Sequence, residues 1–440
     1  MIRVLFFFMF FGTTIAQEIV NPLIFNTSIS LGNAMHEKSQ ISVLNIPFYE
    51  DFSTYLGAPN PNLWKDKHVY INRSMPHQAI NIGVATFDGL DSLGNPRDIY
   101  NVNAHGISDF LTSRAIDLSQ DSEVFLSFYY QPQGIGNDPQ PIDVFKLQFK
   151  NKLDEWDDVW EVSGQDLMPF QNVIIPITDT VYLYDKFEFR FVNYATLSGN
   201  FDHWNLDNIL LTNDESMLNN NDVAFVVNSS QMLIDYTSVP WSHLRFNEEE
   251  YIDTILDSYL RNNYDETQGV NYQYNVFNNL NQNIYHYPFV GEETRNDNIP
   301  VYDGDYFSYT EDAETPIDHE FDFDDDQSYK ATFNIVQSLA TNDSILFKDN
   351  DTLKFTQVFD NYYSYDDGTA EASYGLNVAG GMAAMRFDKI DSDTLKAVQI
   401  HFEQNLDDAS STAFSISVWD NFDSLPNNLI YQSQIFYPEY

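Results

Sequence analysis

The residues best supplied for chemistry are carboxylates, because the chain carries 66 Asp and Glu and no Cys. Without thiols there is no thiol nucleophile, no cysteine-bound zinc and no disulfide. The nine His are scattered, and His36-Glu37 and His319-Glu320 each lack the second His of a zinc-protease helix. No nucleophile elbow, phosphate loop or dinucleotide fingerprint occurs. A glycosidase needs two carboxylates held at a set separation across a cleft, which spacing along a chain does not reveal. Calcium is the better chemical fit, since it prefers hard oxygen ligands. Asp322, Asp324 and Asp326 start like an EF-hand loop, but Gln327 stands where Gly is needed and Phe333 where the bidentate Glu is needed. That run reads as a solvated acidic edge. Ring stacking on sugars is a second chemistry: the stretch 196–204 joins Asn200, Asp202 and His203 to Trp204. Trp204, two residues before Leu206, equally suits a core position, and both readings stay open.

The elements that would position these groups are strands. Phe145, Leu147 and Phe149 alternate with Lys146, Gln148 and Lys150, and Phe187, Phe189 and Phe191 alternate with Glu188 and Arg190. A period of two with charges on the off-beats marks a strand with one face in a core and one in water. Residues 124–130 read as a more fully buried strand, and Gly/Asn/Pro clusters at 94–96, 134–136 and 137–139 mark turns. The class expected is all-β, as tandem antiparallel β-sandwiches, because no amphipathic helices separate the strands. One helix is expected near 248–261, capped by Asn247, with Glu248 to Glu250 at its positive end and Tyr251, Ile252, Ile255, Leu256, Tyr259 and Leu260 on one face. Residues 331–336 and 352–359 read as later strands, and Phe414, Ile416 and Val418 alternate in a further β region.

Arg3, the apolar run from Val4 to Phe11 and the small residues ending at Ala16 read as a signal peptide over 1–16, so export is expected. Residues 17–45 read as an irregular leader, 46–213 as a first β module, 222–356 as a second sandwich and 360–440 as an incomplete third. Between the first two, Asn219-Asn220-Asn221 reads as a linker. No later run approaches the ~20 apolar residues of a membrane span, so no transmembrane anchor is expected. Lys+Arg 21 against Asp+Glu 66 gives a net charge of −45, which argues against nucleic acid and anionic lipid as partners.

The first module resembles the MAM-like jelly-roll module of proteins exported by type IX secretion in Bacteroidota. The matching residues are Phe48-Tyr49-Glu50-Asp51-Phe52-Ser53, Leu63-Trp64, the run Gly83 to Asp91, Leu111-Thr112-Ser113 with Ile116-Asp117-Leu118, Phe128 to Gly134, and Asn193 to Asn200 with His203 to Asp207. Tyr365-Asp366-Asp367-Gly368-Thr369-Ala370-Glu371 with Tyr374-Gly375 looks like the opening of another β-domain of the same cargo. The resemblance implies the type IX machinery as a partner and delivery to the outer surface; such proteins usually end in a C-terminal sorting domain, which is missing from these 440 residues. A jelly roll brings its first and last strands together, so Glu50 and Asp51 on one and Asp207 on the other become a candidate structural calcium site; hydrogen bonding of Asp51 and Asp207 to loop backbone is the alternative. No organic cofactor is expected. The function expected is non-catalytic adhesion or support at the cell surface, with a surface protein or polysaccharide as partner. A carbohydrate-binding subunit and an exported hydrolase with an acidic site are the competing readings.

Overall fold

Alternation along the chain becomes two cores and a set of ribbons. The computed structural model describes residues 18–26, 43–229, 231–245, 251–253, 256–288, 295–309, 329–404, 409–423 and 425–439. The signal peptide and the Asp322–Asp326 run lie outside them, as do residues 248–250, 254 and 255 of the expected helix.

A short strand β1 (Glu18–Pro22) precedes the first module. That module contains β2 (Phe48–Glu50), β3 (Tyr70–Asn72), β4 (Val84–Phe87), β5 (His105–Thr112), β6 (Val124–Pro132), β7 (Val144–Lys150), β8 (Trp156–Ser163), β9 (Gln171–Ile177), β10 (Phe189–Thr196) and β11 (Trp204–Thr212). One sheet runs β5-β10-β7-β8 and the other β3-β4-β11-β6-β9, with β2 also on β11, all antiparallel. Phe145, Leu147 and Phe149 point into the core while their neighbours are half-buried, as the alternation requires. Rings from opposite sheets interlock there: Phe128 on Phe191 at 4.8 Å, and Phe145 stacked on Trp204 at 5.3 Å. Burying such rings at about 25 cal/mol per Å² is what holds two sheets together without disulfides.

The second core is built from β12 (Val223–Phe225), a one-turn helix α1 (Trp241–Leu244), β13 (Tyr259–Asn262), β14 (Gln268–Phe277), β15 (Asn283–Tyr287), β16 (Arg295–Ile299), β17 (Phe307–Ser308), β18 (Ala331–Ala340) and β19 (Thr352–Phe359). Its sheets are β12-β13-β17 and β15-β14-β18-β19, with β16 also on β14. Here the expected helix is corrected. Tyr251 is helical, but Ile252 bridges to Leu233 and Tyr259–Asn262 is strand, hydrogen-bonded between β12 and β17. Apolar residues at 259 and 260 fit either period locally; two waiting strand edges decide for β.

Two further expectations change. The start of the leader is strand β1, because β20 (Ala372–Leu376) supplies an antiparallel partner. The third region forms that pair and a ribbon of β21 (Ser417–Phe422) with β22 (Leu425–Gln432), and β22 is exposed along its length. Phe414 pairs with Phe436 just outside that ribbon. A two-stranded ribbon has no second sheet to cover its apolar side chains. Among the described residues no helix is long and apolar enough to cross a membrane.

Candidate functional site

The stretch expected to hold a ligand is instead a buried lock. Asn200, Asp202, His203 and Trp204 are all at most 6% exposed. Asp202 Oδ2 accepts the Thr196 N–H at 2.8 Å. His203 Nδ1 accepts the Asn137 N–H at 2.9 Å, its Nε2 faces Asn200 Oδ1, and its backbone joins Asn137 O and Gln133 N. These bonds pin the 133–137 turn to the 196–203 loop. Trp204 starts β11 inside the core, 0% exposed, against Phe145 and Tyr130. A ring covered on its faces cannot stack on a sugar, so the core reading of Trp204 holds. Asn200 reaches a void of only about 10 Å³, less than one water needs.

The candidate metal residues do come together, through the pairing of β2 with β11 that sets Ile209 opposite Glu50. Their oxygens, however, are largely engaged. Glu50 Oε1 accepts from Phe52 N–H, and Oε2 accepts from the Tyr55 hydroxyl at 2.8 Å and the Trp64 indole at 3.1 Å. Asp207 receives the Asn81 amide on both oxygens and the Asn208 N–H at 2.7 Å. Asp51 Oδ1 accepts the N–H and hydroxyl of Ser53, while Oδ2 has no partner within the protein. Burial raises all three carboxyl groups: Glu50 to about 7, Asp51 to about 6, and Asp207 well above the usual carboxylate range, where repulsion by Asp51 adds to burial. Among the described residues no three His, Asp or Glu side chains are arranged to hold a metal. Backbone, hydroxyl, indole and amide donors thus engage the oxygens that an ion shared by Glu50 and Asp207 would use.

The two cores meet at a seam beside this trio. Tyr49 of β2 packs edge-on against Phe347 at 4.9 Å, and Asn208 donates to Asn220 at 3.1 Å. Asn220, in the expected linker, thus carries a left-handed turn (φ 46°) that is tied down and buried. Arg261 of β13 donates to the carbonyls of Gln78 and Ala79, and Ile82 enters the second core.

Next to Arg261 opens a cleft of about 560 Å³ between 259–262 and 300–308. Its lining includes Tyr259, Asn262, Tyr302, Asp303, Asp305 and Tyr306. The Tyr302 and Tyr306 rings lie 5.5 Å apart at 33°, and the Arg261 guanidinium sits 3.9 Å from the Tyr302 ring centre. The Tyr306 hydroxyl donates to Ala79 O at 3.1 Å and that of Tyr302 to Gly304 O at 3.1 Å, which fixes both rings. The sequence signal for this cleft was Tyr302-Asp303-Gly304-Asp305-Tyr306, two aromatics around an acidic glycine turn, lost in a region generally rich in Asn, Asp and Tyr.

No family profile and no curated protein matches the chain. Among solved structures, it is similar to the K3 cleaved adhesin domain of Lys-gingipain from Porphyromonas gingivalis w83, at 10% identity and TM-score 0.20, over 30% of this chain and 74% of that one. It is similar to the CBM22-1 xylan-binding domain of Paenibacillus barcinonensis Xyn10C, at 8% identity and TM-score 0.22, over 39% and 96%. A putative beta-galactosidase from Bacteroides fragilis is matched at 8% identity and TM-score 0.22, over 60% of this chain but 35% of that one. Likeness this distant decides nothing about ligand or activity.

Proposed function

We propose that the chain is an exported, non-catalytic binding protein of the outer cell surface, carried there by type IX secretion, whose ligand is an uncharged saccharide. The observation that carries the reading is the cleft at Tyr302 and Tyr306. The half-buried rings of Tyr306 and Tyr302, the latter with Arg261 over one face, give the cleft apolar surface that suits the C–H faces of a pyranose, and the exposed Asp303 and Asp305 supply acceptors for its hydroxyls. Net charge −45 disfavours polyanionic sugars, which is consistent with an uncharged one. The non-catalytic part rests on where raised carboxyl groups lie. A glycosidase acid needs a raised carboxyl group beside the scissile bond, whereas Glu50 and Asp207 are buried at the seam, away from the cleft lining.

Glycan-array binding followed by calorimetric titration tests this. Tyr302→Ala and Tyr306→Ala are each expected to weaken binding roughly two- to tenfold, as loss of a stacking ring costs about 0.5–1.5 kcal/mol. Trp204→Ala, in contrast, should reduce stability and leave the affinity of the folded fraction unchanged. Binding untouched by both tyrosine variants, or turnover of the bound glycan, would overturn the proposal.

A further inference from the structure

The seam holds a second set of acids that neither core explains. Asp222, just before β12, is 0% exposed; Asn350 is 0% and Asp351 5% exposed, both in a 3-10 turn that leads into β19. Asn350 Nδ2 donates to Asp222 Oδ2 at 2.8 Å, tying the two strand entries together. The opposite oxygens are left over: Asp222 Oδ1, Asn350 Oδ1 and Asp351 Oδ1 find no hydrogen-bond partner within the protein, and neither does Asp51 Oδ2 on the first-module side. A buried acceptor without a donor costs about 1–3 kcal/mol, more when charged, and such groups ordinarily occur singly. Four orphaned acceptors stand at this seam against one orphaned donor, Asn220 Nδ2, and that excess describes a place that wants a cation.

The positive groups nearby make their hydrogen bonds elsewhere, although the charge of Lys348 acts on Asp351. Lys348 donates to the Thr341 carbonyl, and Arg261 is taken by Gln78 and Ala79. Asp343 is engaged on both sides, by the Val223 N–H and the Tyr264 hydroxyl, and adds its charge to that of Asp222. Burial, Asp343, Asp351 and Asp51 together push the Asp222 carboxyl up.

We propose that the seam is a divalent-cation site of calcium type, with Asp222, Asn350 and Asp351 as ligands and Asp51 as the facing charge from the first module. Two carboxylates and an amide oxygen form only part of a calcium shell, which ordinarily takes six to eight oxygens and accepts water and backbone carbonyls for the remainder. Softer metals are disfavoured because the ligand set holds no nitrogen or sulfur. The site is separate from the Glu50–Asp207 arrangement, whose oxygens are hydrogen-bonded, and from the tyrosine cleft, so its failure leaves the saccharide reading standing. A cation here would tie Asp222 at the start of the second core to the turn before its last strand, against the end of β2, and so fix the two modules relative to each other.

The test uses the full chain, stripped with a chelator and dialysed against calcium chloride, with bound metal measured by elemental analysis and melting followed by calorimetry. One equivalent of calcium that is lost in Asp222→Asn, with the melting temperature of that variant no longer raised by calcium, is the expected result. Asp351→Asn, which removes a proposed charged ligand but keeps the Asn350–Asp222 hydrogen bond, is expected to weaken calcium binding at least tenfold, and serves if Asp222→Asn fails to fold. No bound calcium at millimolar concentration overturns the proposal. So does calcium that persists in Asp222→Asn but disappears in Glu50→Gln, which would place the ion in the first module.

Discussion

Burial keeps His203 neutral, lowering it from an ordinary 6.5 to about 4. Its ring accepts from Asn137 through Nδ1, so Nε2 carries the hydrogen that faces Asn200, and a second proton would break the first bond. The sign follows from the direction. Above 6.5 both folded and unfolded chains hold a neutral ring and nothing is lost. Below 6.5 the unfolded chain binds a proton that the folded chain refuses until about 4, so stability falls as pH drops through that window, by up to about 3 kcal/mol. Unfolding free energies of wild type and His203→Gln across pH 4 to 7 check this. The variant is expected to be less stable at pH 7 but to lose less on acidification; parallel curves would show that His203 does not titrate as its surroundings require. Trp204 shows at the same scale why a residue type does not announce its role. Beside Asn200, Asp202 and His203 it has the composition of a sugar site, yet those polar groups close a loop and the ring closes a core.

At the scale of elements, the 133–137 turn and the 196–203 loop act as one piece. Gly136 lies so close to the His203 imidazole that a Cβ there would overlap the ring, and the ring cannot move away without losing Asn137 and Asn200. Gly136→Ala is expected to cost more than about 2 kcal/mol, through overpacking and a broken lock, and a shift of the melting temperature under one degree would refute that. Strand assignment at this scale was legible wherever alternation ran over several residues, as in β7 at Phe145, Leu147 and Phe149 or in β18 and β19. It failed at Tyr259 and Leu260, where an apolar pair is compatible with helix and strand and only the edges of β12 and β17 settle the matter. The first and last strands of the first module meet as the jelly-roll resemblance implies, which brings Glu50 opposite Ile209. What the carboxylates do after meeting was not legible, because their donors, Asn81, Tyr55 and Trp64, come from loops and an isolated bridge that no period marks. The seam was harder still: Asp222 and Asn350 stand 128 residues apart and share only one hydrogen bond.

For the whole molecule, 66 acids against 21 bases make self-repulsion a general term that no single contact carries. The described ion pairs are few and mostly at the surface, such as Lys146 with Asp158 and Glu161, and exposed pairs contribute at most about 1 kcal/mol each. Screening therefore weakens repulsion among many acids more than it weakens attraction within a few pairs. The Debye length falls from about 30 Å at 0.01 M salt to about 10 Å at 0.1 M, so charges farther apart than that stop repelling one another. Raising sodium chloride from 0.01 to 0.2 M, with chelator present throughout so that the seam plays no part, is expected to raise the melting temperature by several degrees. A protein held mainly by ion pairs would melt lower in the same series. A curve that stays flat would mean the unfolded chain feels the repulsion as strongly as the folded one, and that the charge serves to keep copies apart in solution with no cost to the fold.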